Sequence, residues 1–356
     1  MDKTRSDDFS LVSQSTDSVI QETDRFVKHG PLLNLLILSV GPILKTIGMS
    51  VLDSVDLMII SQRFKNDPDS YAVQIIGVTF FILQICTNIG LFLSQAVMVR
   101  VSSLLGSGER HEAAQLTVDI FRISIIVTII TTYILTFVAR PIMTFAGCTA
   151  DLLEPSYLLL ISTISALPIY TFFHVGTAFL QAIGRPVLNG ILHLAANVLQ
   201  TFIMTPFLQF VIKVNVTLSS LSQPFSQSII AVILFILIFM GKFSLKPSLK
   251  MLFAPFSSQT RKAISMAFPM VPMFCYTLIP PTLLLRYMTS ACETDSVKTD
   301  IIAVYTVIQK MIMMCISAPV ALASGYITAA THALSMGNHK RMLMTYFWVV
   351  VIDIIF

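Results

Sequence analysis

Apolar stretches of roughly 20 residues or more follow one another through most of this sequence, separated only by short polar turns. A chain written this way reads as a membrane protein of several helical spans. The first of them, Leu32 to Gln62, carries Pro42, Lys45, Asp53 and Asp56 inside an otherwise apolar run. Ionisable groups inside a span are costly and usually functional. At 100° per residue Asp53 and Asp56 lie about 60° apart and Lys45 and Asp56 about 20° apart. All three share one face, which suggests a helix turned toward a wet protein interior. Lys45 lies about 16 Å from Asp56 along that face, too far for direct pairing.

Composition agrees with several spans. The hydrophobic fraction is 55%, the charged fraction 12% and the mean hydropathy +0.80, whereas soluble domains carry about 25% charge. The net charge of +4 sits in short loops, so no nucleic-acid surface is expected. Five cysteines show no metal-ligand spacing; Cys148 and Cys292 fall in loops on one side, where a disulfide between them is one alternative and free thiols the other. Residues 1–30 read as a disordered cytoplasmic N-terminal tail. Spans are expected near residues 32–62, 71–105, 115–139, 156–183, 186–212, 219–240, 263–289 and 299–334, with a ninth beginning near Met342. The segments grouped by these breaks are a six-helix bundle over 31–243, a cytoplasmic linker over 244–262 and a partial second bundle over 263–356. With the N-terminus inside, fourteen loop or tail Lys and Arg fall on the cytoplasmic side and five on the other. Asn215, in the one Asn-Val-Thr sequon, then lies outside as a possible glycosylation site.

The second span and its turn, ending SLLGSGERHEA, have a counterpart ending ALSMGNHKRM. An offset of 229 places Gly108 on Gly337, and one of 227 places Pro42 on Pro269. Two copies in one orientation indicate a transporter of two bundles with a central substrate site. On this register the second copy stops in its third helix, so the chain reads as C-terminally truncated. Nothing suggests an intramembrane enzyme: there is no G-x-S-x-G and no H-E-x-x-H. The two-copy layout argues against a receptor or channel.

Several stretches carry a family resemblance: the Pro-bearing first span ending VDLMIIS, GLFLSQA with SLLGSGERHEA, AFLQAIGRP, the Asn197 region, LSQPFSQSII and the MGNHKR turn. Over about Gly41 to Arg341 the chain resembles the multidrug and toxic compound extrusion (MATE) family. The resemblance implies an all-α membrane protein, a MATE-like transporter of two pseudo-symmetric six-helix bundles, the second incomplete, with about eight to nine helices present. It implies a monomeric antiporter in a plasma or vacuole-type membrane, exporting drugs or other amphiphilic small molecules in exchange for H+ or Na+ and using no other cofactor. Asp56 would be the first-helix carboxylate that takes up the coupling ion, and Asn197 its fifth-helix neighbour.

Three departures follow. Gln200, Thr201 and Thr205 stand where many relatives have a second Asp, the seventh span carries only Arg286, and no tenth helix is present. Asp53 either shares the proton or bonds a neighbouring helix. Gln84, Gln200 and Lys310 are further cavity candidates, and Lys45 either lines the inner vestibule or snorkels to headgroups. Gln84, Asn88 and Gln95 serve equally as helix-to-helix hydrogen bonds. His193 and Asn197 belong to a polar stripe, while His174 reads as a packing histidine. Asp119 and Arg122 suit a structural ion pair. A Lys in the cavity disfavours cationic substrates, and the alternative function is a lipid-linked sugar flippase of the same superfamily.

Overall fold

The computed structural model describes residues 30–65, 71–243, 245 and 247–355; apart from Gly30, the expected N-terminal tail lies outside them. No strand occurs among the described residues. Long helices run in chain order as α1 (Pro31–Arg63), α2 (Ala72–Gly106), α3 (Arg110–Phe145), α4 (Ala150–Ser165), α5 (Leu167–Ala182), α6 (Pro186–Leu199) and α7 (Ser222–Phe239). After a 3-10 turn at Leu249–Phe253 come α8 (Ser258–Ala267), α9 (Met270–Ser290), α10 (Asp295–Ser335) and α11 (His339–Ile355). Among the described residues six helical segments are long and apolar enough to cross a membrane, and the α4–α5 pair, bent by 50°, makes a seventh. The outer face of α3 is greasy and uncovered, with Ile126, Ile129, Tyr133 and Phe137 each more than half exposed. A belt of that kind belongs against lipid, and the chain is a multi-pass integral membrane protein.

Pro42 does not break α1. Proline lacks an N–H, so the Leu38 carbonyl loses its intrahelical donor; Gln181 Nε2 on α5 supplies one at 3.4 Å. Thr46 closes the turn on the other side, its hydroxyl lying 3.0 Å from both the Pro42 and the Ser317 carbonyls. Next to the proline, α1 meets α6 backbone to backbone. A Cβ on Gly41 would lie 1.7 Å from the Pro186 oxygen, and one on Gly190 would lie 2.5 Å from the Gly41 oxygen. Only hydrogen side chains permit that crossing.

The internal repeat is visible in space. Residues 229 apart face one another along α2 and α10: Ser102 and Thr331 share a hydrogen bond of 2.8 Å. A Cβ on Gly77 would sit 1.9 Å from the Thr306 hydroxyl, and one on Gly106 would sit 1.9 Å from the Ser335 hydroxyl. Equivalent residues meet in this way along a two-fold axis, where one surface patch faces its own copy. The pseudo-symmetry of the two bundles therefore runs between α2 and α10.

The segment expected as one span from Ala263 to Thr289 is divided. Helix α8 ends at Ala267 and α9 begins at Met270, because Pro269 has no N–H to continue the ladder. Helix α8 and the residues before it are tied to α2 and α3. Buried Asp119 accepts from Gln115 Nε2 (2.9 Å), Ser257 N (2.8 Å) and the Thr260 hydroxyl (2.7 Å), and Arg122 lies at 3.4 Å. Arg122 also donates to the Ala254 carbonyl at 2.7 Å and lies over the Phe256 ring. Gln259 bonds both Arg100 and Glu112.

Candidate functional site

The polar face of α1 opens onto a cavity of about 140 Å³. Its lining includes Asp53 and Asp56 from α1, Phe80, Gln84 and Thr87 from α2, and Gln200 just beyond α6. Ser219, Ser220, Ser222 and Gln223 line it from the entry to α7, and Lys310 from α10. Five of the residues singled out in the sequence (Asp53, Asp56, Gln84, Gln200 and Lys310) thus share one space.

Local structure explains why Gln200 reaches Asp56. Helix α6 passes into wider π-helical turns at Gln200–Met204 and Phe207–Ile212, with Pro206 between them. Proline removes a donor that an ordinary α-turn would use, and such π turns recur at functional sites. The Gln200 side chain donates from Nε2 to Asp56 Oδ2 at 3.1 Å, and the Thr201 hydroxyl donates to the Leu52 carbonyl at 3.4 Å. Asp56 is 8% exposed and its other oxygen, Oδ1, accepts no hydrogen bond; the Gln200 oxygen and the Asn197 side-chain nitrogen are likewise buried without partners. Buried polar atoms are nearly always satisfied. The protein satisfies the Asp56 carboxylate only in part.

Asp53 faces the same cavity from one turn earlier. Its Oδ2 lies 4.0 Å from Lys310 Nζ, and the Lys310 ammonium also sits 5.2 Å from the Phe80 ring centroid. Asn197, 2% exposed, lies behind Gln200 and outside the lining, as does Lys45. Lys45 is on the stretch of α1 nearer His174 and His193, whose ring centroids are 5.3 Å apart. His193 shares a 2.9 Å hydrogen bond with Thr177, and neither nitrogen of buried His174 has a partner. Gln84 is half-buried, and exposed Asn215 opens the 3-10 turn Val216–Leu221. All five cysteines are free. No group of three or more His, Cys, Asp or Glu that could hold a metal occurs among the described residues.

Sequence reading passed over the hydroxyl cluster Ser219, Ser220 and Ser222 with Gln223, and also Gln181. The polar run SSLSQ at the head of an apolar span was a signal for the first. Nothing local marks Gln181, whose importance comes from a proline on another helix.

Residues 43–207 match the MatE family model. No curated protein sequence matches. Solved structures do: a MOP superfamily transporter from Pyrococcus furiosus Vc1, whose binding pocket has reverse polarity and suggests a different function, aligns with a TM-score of 0.77 at 15% identity. That alignment covers 92% of this chain and 70% of the other. A MATE in complex with MaD3S aligns with a TM-score of 0.78 at 14% identity, over 92% of this chain and 71% of that one. The outward-facing conformation of a multidrug resistance MATE family transporter gives 0.76, again at 14% identity and over the same shares. The chain thus carries a MatE family match over residues 43–207, and its fold is similar to that of solved MATE transporter structures.

Proposed function

We propose that this chain is a secondary active transporter that exports amphiphilic organic solutes, drugs among them, in exchange for an ion taken up at Asp56. The observation that carries the reading is the half-satisfied Asp56 carboxylate, buried beside Gln200 and facing a cavity inside a lipid-exposed bundle. Binding a proton or Na+ there relieves an unpaired buried charge, and a solute competing for the same carboxylate couples the two fluxes. The cavity has room for several waters, or for an ion with its waters, and is small for a drug-sized molecule. Solute entry therefore requires the two bundles to separate, as alternating access demands. The same small cavity, with two carboxylates against one ammonium, disfavours a lipid-linked sugar flippase, which needs room and positive charge.

The test is ethidium efflux from proteoliposomes holding the full chain under an imposed pH or Na+ gradient. Gradient-driven efflux that falls at least tenfold in Asp56→Asn, with the variant still monodisperse, is expected. Efflux indifferent to Asp56→Asn would remove this mechanism, and lipid-linked sugar movement without drug efflux would favour the flippase.

A further inference from the structure

The cavity has three ionisable lining residues, and they do not come from one half of the molecule: Asp53 and Asp56 stand on α1, Lys310 on α10. The Lys310 ammonium touches two things, the Asp53 carboxylate at 4.0 Å and the face of Phe80 at 5.2 Å from its centroid. A carboxylate beside an aromatic face is what an organic ammonium seeks in a binding site, one partner for its charge and one for its apolar periphery. Both partners are already engaged by a cation that the protein carries itself. The pair is reachable: the two side chains keep 19% and 24% of their surface open, and their common space is the cavity. Lys45 does not line that space, so among the described lining residues no second ammonium balances Asp56.

We infer that Lys310 is a tethered stand-in for a ligand cation and sets the charge selectivity of the cavity. This inference rests on reading the cavity as the transport site. While Lys310 holds Asp53, a monovalent organic cation must displace it or make do with Asp56 alone. Neutral and zwitterionic amphiphiles carry no such penalty, because a zwitterion can exchange partners with the pair, anion to Lys310 and cation to Asp53. Specificity here comes from an element that repels one ligand class. It also links the halves, since a ligand that parts Asp53 from Lys310 loosens α1 from α10 at the cavity.

The experiment is equilibrium binding of tetraphenylphosphonium and of taurocholate to the full chain in nanodiscs. Relative to the unaltered chain, Lys310→Met binds tetraphenylphosphonium at least tenfold more tightly, and Lys310→Arg stays within threefold. Asp53→Asn, which leaves the ammonium unpaired, binds the cation at least tenfold more weakly and gains taurocholate binding. The double variant Asp53→Asn with Lys310→Met returns to within threefold of the starting affinity, a coupling that two unrelated packing defects would not produce. Equal tetraphenylphosphonium affinity in Lys310→Met and the unaltered chain, both monodisperse, overturns the inference while leaving Asp56-dependent efflux standing. Absence of binding of either probe to any of these folded proteins overturns the transport-site reading with it.

Discussion

Helices α1 and α9 occupy equivalent places in the two copies of the repeat, and both carry prolines, yet their surroundings differ. Helix α1 is held from three sides: by Gln181 of α5 at its proline, by the backbone of α6 at Gly41, and by the Ser317 carbonyl of α10 at Thr46. Helix α9 packs on α2 and α10 and leaves Tyr276 and Tyr287 about 70% exposed. Among the described residues, the Tyr305 hydroxyl ties its proline segment by donating to the Pro281 carbonyl at 2.9 Å. Its one charged side chain, Arg286, reaches out of the helix to the Phe145 carbonyl and ring at the end of α3. The donor and the space that keep Asp56 in mid-span come from Gln200 beyond α6, from the entry to α7 and from Lys310 of α10.

The comparison breaks most readily at the α1–α6 crossing. Gly41→Val puts side-chain carbon into backbone that no rotamer change can clear. Loss of monodisperse folded protein on size exclusion is expected, while Leu284→Val on the exposed face of α9 shifts stability by less than about 0.5 kcal/mol. Comparable losses at both sites would mean that α1 is no better enclosed than α9. The next largest effect is at the grip of the first bundle on the segment between the halves. Asp119→Ala removes the acceptor of the Ser257 N–H and the Thr260 hydroxyl and the counter-charge of Arg122, a cost of about 3–5 kcal/mol. Asp119→Asn costs less because it keeps an acceptor, and thermal unfolding by intrinsic fluorescence separates the two. A melting temperature unmoved by Asp119→Ala would show that the buried network holds nothing.

Smaller again is Gln181→Leu, which leaves the Leu38 carbonyl and the Asn189 side chain without a partner. A buried donor or acceptor left unmade costs about 1–3 kcal/mol. Its melting temperature should fall, and adding Pro42→Ala should restore part of the loss by returning a backbone donor to Leu38. Failure of that rescue would detach Gln181 from the proline. Thr46→Val is the mildest, about 1 kcal/mol for one hydrogen bond from α1 to α10. It sharpens the contrast if Tyr305→Phe, the corresponding tie of α9, costs about the same.

Much of this was written in the sequence. Long apolar runs between Gly- and Pro-bearing turns fixed the helices and most of their ends, because lipid leaves an isolated segment few alternatives. The repeat register was legible too: the offset that aligns Gly108 with Gly337 also pairs Ser102 with Thr331 in space. Helical periodicity put Asp53 and Asp56 on one face before any neighbour was known. The division at Pro269 was missed because hydropathy runs through it unchanged, whereas backbone hydrogen bonding does not.

What tertiary structure alone decided is which groups meet. No local pattern states that a missing donor at Pro42 is made good by Gln181, or that π-helical turns around Pro206 aim Gln200 at Asp56. Nor does any pattern bring Lys310 of the second half against Asp53 of the first. Periodicity fixes the direction of a side chain relative to its own helix axis. Its partner is set by the rotation and depth of another helix, and those come from close crossings such as Gly41 on Pro186, where backbone shape rather than residue type selects the fit.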